Sequence, residues 1–200
     1  MRSVFNKLWN RNYNLIFFVL DGLLGFSVSM GCKLRGISIG RGCKFYGLPR
    51  LVRSNESIIQ IGKNCQFRSR STSNLIGIRN PCILSTHLAG AKLIIGNSCG
   101  FSGTVIGSFM EVSIGNNVRC GANTVITDSD WHPDDPRTGE MKPVIIGDNV
   151  WLGYGVIVLK GVTIGENSLI GAGSVVVSDI PKNVMAAGNP CKVIKHFNHE

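Results

Sequence analysis

The stretch IGDNVWLGYGVIVLKGVTIGENSLIGAGSVVVSDI, residues 146–180, decides the fold. Every sixth residue along it reads Ile146, Leu152, Val158, Ile164, Ile170 and Val176. Four positions after each stand Val150, Val156, Val162, Ser168, Ser174 and Ile180. An α-helix turns every ~3.6 residues and cannot hold such a set on one face, and one strand of period two would run on without a turn. A short strand followed by a bend, repeated, satisfies the pattern. Each bend needs a residue that tolerates positive φ or a tight approach, which accounts for the Gly and Asn content. Three strand–bend units close a triangular turn of eighteen residues, as from Ile146 to Ile164. The first aliphatic of each unit then points inward and stacks on its copy one turn away. The expected fold is all-β, a parallel β-helix of hexapeptide repeats.

Working outward, the element Ile-Gly-x-x-small-x-apolar recurs at Ile39, Ile61 and Ile95, with later copies starting at Ile114, Ile146 and Ile164. Cys43, Cys65 and Cys99 share one register position, which Val118, Val150 and Ser168 fill later. A slot that accepts Cys, Val or Ser is a slot for a small side chain, not for a reactive thiol. The seven cysteines include no C-x-x-C, so neither a structural zinc site nor a disulfide framework is expected. Small buried apolar residues in a reducing compartment are expected instead. Gly is 25 of 200 residues, roughly twice the usual share, yet follows no collagen register. With 44% hydrophobic and 16% charged residues the chain has material for a core and does not read as disordered. No second long apolar run exists, which excludes a polytopic membrane protein. The net charge of +9 is scattered and without interleaved aromatics, a poor fit to nucleic acid.

Three segments follow. Residues 1–30 are apolar and basic, 31–195 form the β-helix, and 196–200 are a tail. In the first, Leu15–Leu20 is apolar, Asp21 interrupts, and Arg2, Lys7 and Arg11 precede. It reads as a cap on the β-helix, or as a basic amphipathic anchor on an anionic membrane surface. A signal peptide lacks its cleavage site, and a spanning helix lacks its length.

The repeat breaks once with a clear phase. Copies at 114, 120 and 126 are followed only at 146, so about fourteen residues leave the coil and return in register. This excursion, about 127–143, is polar and carries Asp128, Asp130, His132 and Arg137. A polar excursion on a regular solenoid is where function concentrates. His132 is the candidate catalytic base, since imidazole titrates near neutral pH and can take a proton from a hydroxyl. Asp130, two residues before it, is the candidate partner that fixes the tautomer. The stretch between Phe67 and Leu93 is irregular and admits a second excursion of unclear phase.

Pro143–Gly155, Gly161–Val176 and the ending Ala187-Gly-Asn-Pro-Cys-Lys-Val-Ile194 resemble the hexapeptide-repeat acyltransferases. Repeat, His-bearing excursion and closing motif together are similar to sugar O-acetyltransferases of the galactoside, maltose and capsular-polysaccharide type. Phe45-Tyr-Gly-Leu-Pro and Gly100-Phe-Ser-Gly-Thr look like members tied to surface-polysaccharide synthesis. The resemblance implies a left-handed β-helix, acetyl-CoA as co-substrate, no required metal, and homotrimers with active sites between neighbouring prisms. It implies direct attack of an acceptor hydroxyl on the thioester, with His132 as base. Trp151, Gly153, Tyr154, Ala172, Lys192 and Lys195 are the expected coenzyme contacts, with the turn at Gly153 and Tyr154 as oxyanion donor. Lys160 is a further candidate for the coenzyme phosphates. Asp128, Arg137 and Ser102 are the expected acceptor contacts, Arg137 for an acidic or phosphorylated sugar. The expected location is cytoplasmic, at the inner face of the membrane if residues 1–30 bind it.

Other readings stay open on the residues alone. The acceptor could be an amino sugar or a drug hydroxyl, and a non-catalytic scaffold shares the same repeat. A zinc hydratase on this scaffold would need three histidines, and outside the tail only His87 and His132 stand, 45 residues apart.

Overall fold

The computed structural model describes residues 21–132 and 134–197. The chain winds as a three-faced coil, each face a parallel sheet whose neighbouring strands come from successive turns. The first face stacks β1 (Ser38–Ile39), β4 (Ile58–Ile61), β7 (Lys92–Ile95), β10 (Glu111–Ile114), β13 (Val144–Ile146) and β16 (Thr163–Ile164). The second stacks β2 (Lys44–Tyr46), β5 (Gln66–Arg68), β8 (Gly100–Ser102), β11 (Arg119–Cys120), β14 (Trp151–Leu152), β17 (Leu169–Ile170), β19 (Val184–Gly188) and β20 (Cys191–His196). The third stacks β3 (Arg50–Val52), β6 (Ile83–Thr86), β9 (Val105–Ser108), β12 (Val125–Thr127), β15 (Ile157–Val158) and β18 (Val175–Val176). Only β19 and β20 pair antiparallel, as a closing hairpin.

Inward side chains stack in columns because turns repeat at the inter-strand spacing. On the first face Ile61, Ile95, Ile114, Ile146 and Ile164 are buried in register. On the second, the rings of Phe45, Phe67 and Phe101 stack nearly parallel at 5.2 and 5.1 Å. The shared small slot is buried at Cys65, Cys99, Val118, Val150 and Ser168. Cys65 and Cys99 point their thiols at the carbonyls of Gly96 and Gly115 one turn on. Burial holds the Cys82 and Cys120 thiols above the ordinary range, which keeps them protonated and unreactive.

Two residue types make the bends. Asn149, Asn167 and Asn183 each adopt φ 59° at the corner between the first and second faces. Their amides form a ladder at 3.0 Å from Asn149 to Asn167 and from Asn167 to Asn183. At the same corner, two residues before the Asn position, a Cβ on Gly62 would lie 2.6 Å from the Gly96 carbonyl carbon, so the turn spacing itself demands glycine.

The inward spacing also reveals the insertions. From the second to the third face it is six residues at Phe45–Leu51, Cys120–Ile126, Leu152–Val158 and Ile170–Val176, but seventeen at Phe67–Leu84. The first excursion is therefore eleven extra residues, including a 3-10 turn at Ser71–Ser73. The second leaves after Thr127 and returns at Val144, at the corner between the third and first faces.

Residues 21–34 are helical and lie over the first turn. Val28, Cys32 and Leu24 join the core, and Arg70 binds Asp21 through two N–H···O contacts of 3.0 and 3.2 Å. The expectation for Leu15–Leu20 lies outside the described residues.

Candidate active site

The excursion is rooted by Asp128. Its carboxylate is fully buried and accepts hydrogen bonds from Phe109 N (2.7 Å), Met110 N (2.8 Å) and Ser108 Oγ (3.0 Å). A buried carboxylate must be satisfied in this way, and a satisfied one has little to offer an acceptor. In this structure the carboxylate of Asp128, expected from its loop position as an acceptor contact, ties the excursion to the coil.

A second anchor follows at once. Trp131 stands at φ 67°, and its indole lies against Gly107, where any Cβ would collide with the ring. The indole meets Phe109 edge-on at 5.4 Å and His87 at 4.7 Å. His87 stacks flat on Phe109 at 4.3 Å and shares a 2.9 Å hydrogen bond with Ser85 Oγ. Burial pushes the His87 imidazole below the ordinary histidine range, against the opposing pull of the Asp128 charge.

Asp130 makes the third anchor. Its Oδ2 accepts from Lys160 Nζ at 2.5 Å and from Gly139 N at 3.1 Å. The Lys160 hydrogen bond holds its carboxyl below the usual carboxylate range. Asp130, expected beside the His132 ring, meets Lys160 and Gly139 in this structure, and Lys160 is engaged in that pair.

The three anchors leave His132 at the surface. Its carbonyl accepts from Asp135 N (3.0 Å) and Thr138 Oγ1 (3.2 Å), which closes a compact turn. Its ring is exposed and has no hydrogen-bond partner among the described residues. His132 and Arg137 line one open depression of about 650 Å³ with Trp131, Asp134 and Asp135. Arg137 Nε donates to Asp135 Oδ1 at 2.9 Å, and its side chain is 88% exposed.

The expected coenzyme residues lie elsewhere on the coil. Trp151 projects from the second face, half exposed. In register with it stand Arg119 on one side and Leu169, Met185 and Lys195 on the other. Trp151 to Lys195 is three strand spacings, ~14 Å. Lys192 is exposed on the same closing hairpin. Gly153, Tyr154 and Ala172 occupy the corner between the second and third faces. The Gly153 N–H already donates to the Ile170 carbonyl at 2.8 Å, so it is not free to hold an oxyanion. The Tyr154 N–H has no partner among the described residues.

Beside Trp151 a cavity of about 410 Å³ opens on the second face, lined by Gln66, Arg68, Asn74, Ser102 and Arg119. Ser102 Oγ accepts from Asn74 Nδ2 at 3.2 Å, and Arg68 lies 5.2 Å over the Tyr46 ring. Arg119 was visible in the repeat, since Val118-Arg119 and Val150-Trp151 occupy the same register. Asn74 was not, because the first excursion obeys no period.

The comparisons with known proteins agree with this architecture. Residues 143–178 match the model "Bacterial transferase hexapeptide (six repeats)". Galactoside O-acetyltransferase of Escherichia coli (strain K12) is 44% identical over 115 residues, covering 54% of this chain and 56% of that protein. The chain spans about half the length of the curated relatives it matches. A galactoside acetyltransferase solved in complex with coenzyme A superposes with a TM-score of 0.51 at 30% identity, over 80% of this chain and 65% of that one. AntD, an N-acyltransferase from Bacillus cereus solved with dTDP and 3-hydroxybutyryl-CoA, reaches a TM-score of 0.64 at 20% identity, over 85% and 88%. That likeness speaks to the fold alone. Repeat, three-faced coil and these likenesses together mean that the chain carries bacterial-transferase hexapeptide repeats and folds as a left-handed parallel β-helix.

Proposed function

We propose that the protein transfers an acetyl group from acetyl-CoA to a hydroxyl of a sugar or surface-polysaccharide precursor. The observation that carries this reading is the exposed His132 ring, without a hydrogen-bond partner among the described residues, on an excursion pinned at Asp128, Trp131 and Asp130. A base must be held in place yet keep a nitrogen lone pair for substrate. His132 takes the acceptor hydroxyl proton as the oxygen attacks the thioester carbonyl. The new C–O bond forms, the C–S bond breaks, and the imidazolium returns the proton to the departing thiolate. The named activity of the galactoside O-acetyltransferase relatives supports the same chemistry. Trp151 would pack on the coenzyme, and Lys192 and Lys195 would meet its phosphates. The Tyr154 N–H is the better oxyanion donor of its turn. Arg68, Arg119 and Ser102 suit an acceptor that carries negative charge.

The reading includes a homotrimer. In one chain His132 sits at the corner between the third and first faces, whereas Trp151 and Lys195 project from the second. A complete site needs the excursion of one copy against the second face of another. The outward column Ile83, Val105, Val125, Ile157 and Val175, half-buried along the third face, supplies an apolar contact for such packing. The seven unpaired cysteines and the acetyl-CoA requirement fit a reducing, cytoplasmic location.

The test is thiol release from acetyl-CoA over a panel of free, nucleotide-linked and lipid-linked sugars, with light scattering for mass. Acceptor-dependent release should fall ~10²–10⁴-fold in His132→Ala at unchanged circular dichroism and mass. Equal rates in the variant would remove His132 as base. A mass of one chain, 21.6 kDa, would remove the shared site.

A further inference from the structure

We propose that the end of the coil that carries helix 21–34 docks on an anionic lipid bilayer, with the helix lying in the plane of the membrane surface. The first observation is the helix itself. Leu24, Val28 and Cys32 face the core, as expected of a cap. The opposite face is apolar too: Leu23, Phe26, Met30 and Leu34 are 47% to 82% exposed. At 100° per residue these four fall within a sector of about 80°. A cap in contact with water alone would carry polar residues there. Beside the stripe an apolar groove of about 650 Å³ runs between the helix and the first turn, walled by Leu23, Phe26, Phe45 and Tyr46. The bidentate Asp21–Arg70 pair fixes the helix, so the stripe is presented and not merely frayed.

The second observation is independent and lies in the distribution of charge. Residues 1–79 hold 13 of the 21 Lys+Arg and 2 of the 12 Asp+Glu, a balance of +11. Residues 80–200 hold the other 8 against 10, a balance of −2. The described residues of that part, 21–79, hold 10 Lys+Arg and 2 Asp+Glu, a balance of +8 on the turns next to the stripe. Lys33 and Arg35 flank Leu34 at the end of the stripe, and Arg41, Lys44 and Arg50 project from the first turn, all exposed. Arg2, Lys7 and Arg11 precede it in sequence with no acidic residue among residues 1–20, which also include the apolar run Leu15–Leu20.

Stripe and charge together select the partner. Two copies could pair their stripes, but two ends of +8 would repel. Nucleic acid would take the charge and leave the stripe in water. An anionic bilayer takes both, with apolar side chains among the acyl chains and Lys and Arg at the headgroups. No described helix is long and apolar enough to cross a membrane.

Vesicle flotation of the full chain tests this without reference to catalysis. The chain should float with vesicles of phosphatidylcholine and phosphatidylglycerol at least ~10-fold better than with phosphatidylcholine alone, and less as salt rises. The double substitution Phe26→Gln, Leu34→Gln replaces exposed side chains, so helix content and mass should hold while binding falls ~10-fold or more. Lys33→Glu with Arg35→Glu should remove the preference for phosphatidylglycerol. No flotation of the full chain would overturn the proposal. Undiminished binding of the glutamine variant would overturn the stripe's part in it. A lower mass in that variant would make the stripe a contact between copies and would equally overturn it.

Discussion

Outside the insertion between Phe67 and Leu84, each turn of the coil stacks its inward side chains on those of the turn before, whereas the described residues of 128–143 add none to the apolar columns. The coil is held by many equivalent contacts, and no single turn is unique. The excursion is held by three unlike ones: a buried carboxylate, an indole wedged against a glycine, and an ion pair at the surface. A solenoid distributes its stability over nearest neighbours. A loop without a period must be fastened point by point. Losses in the coil should therefore appear as global stability, and losses in the excursion as local order around His132.

The largest effect is expected in the coil. Phe67→Ala removes the middle ring of the Phe45–Phe67–Phe101 stack and should cost ~3–5 kcal/mol in chemical denaturation. Hydrogen exchange in residues 128–143 should be unchanged at low denaturant. If the excursion loosened as much as the coil, the two regions would not be separable.

Next comes the root of the excursion. Asp128→Ala leaves Phe109 N and Met110 N without their acceptor and should cost ~2–3 kcal/mol, with most of the disorder confined to the excursion. Limited proteolysis should cut between Ser129 and Lys142 in the variant and not in the parent.

A pH effect of smaller size follows from His87, whose imidazole is held below the ordinary histidine range by burial. The folded value is depressed, so the unfolded chain binds the proton first as pH falls. The stability that the neutral ring contributes is complete above the ordinary value of ~6.5 and declines as pH drops from there toward the folded value. Denaturation at pH 7.5 and 5.5 should show this decline, and His87→Phe, which keeps the stack on Phe109, should flatten it.

The smallest effect belongs to Lys160→Met. The pair with Asp130 is solvent-screened, its carboxylate side chain 42% exposed, and its loss should cost ~1 kcal/mol or less. A large loss would mean that the surface pair, and not the buried carboxylate, fastens the loop.

Some of the candidate site was legible and some was not. The period of six put Trp151 on an outward position, and the same register marks Arg119, one turn earlier, as its neighbour. The gap from Ile126 to Ile146 located the excursion that carries His132. Asp128, Asp130 and Lys160 are polar residues in or near a polar loop, and nothing in their spacing separates a buried tie from a substrate contact. Their roles depend on which backbone N–H groups lie opposite, Phe109 and Met110 for Asp128, Gly139 for Asp130. His87 lies 44 residues before Trp131, and only the stacking of two coil turns brings the two rings to 4.7 Å. The Gly153 N–H was a plausible oxyanion donor until the ladder bond to Ile170 accounted for it.

By itself the sequence determined the coil: its period, its inward columns, its asparagine and glycine corners and the position of its break. These follow from short-range rules, since a side chain six residues on must repeat its environment or break the stack. Only the tertiary structure decided how the break is fastened, which polar groups are spent in doing so, and that His132 and Trp151 lie on different sides of one chain. Those outcomes rest on contacts between positions unrelated by any repeat, where burial and hydrogen-bond geometry, not spacing, set each residue's part.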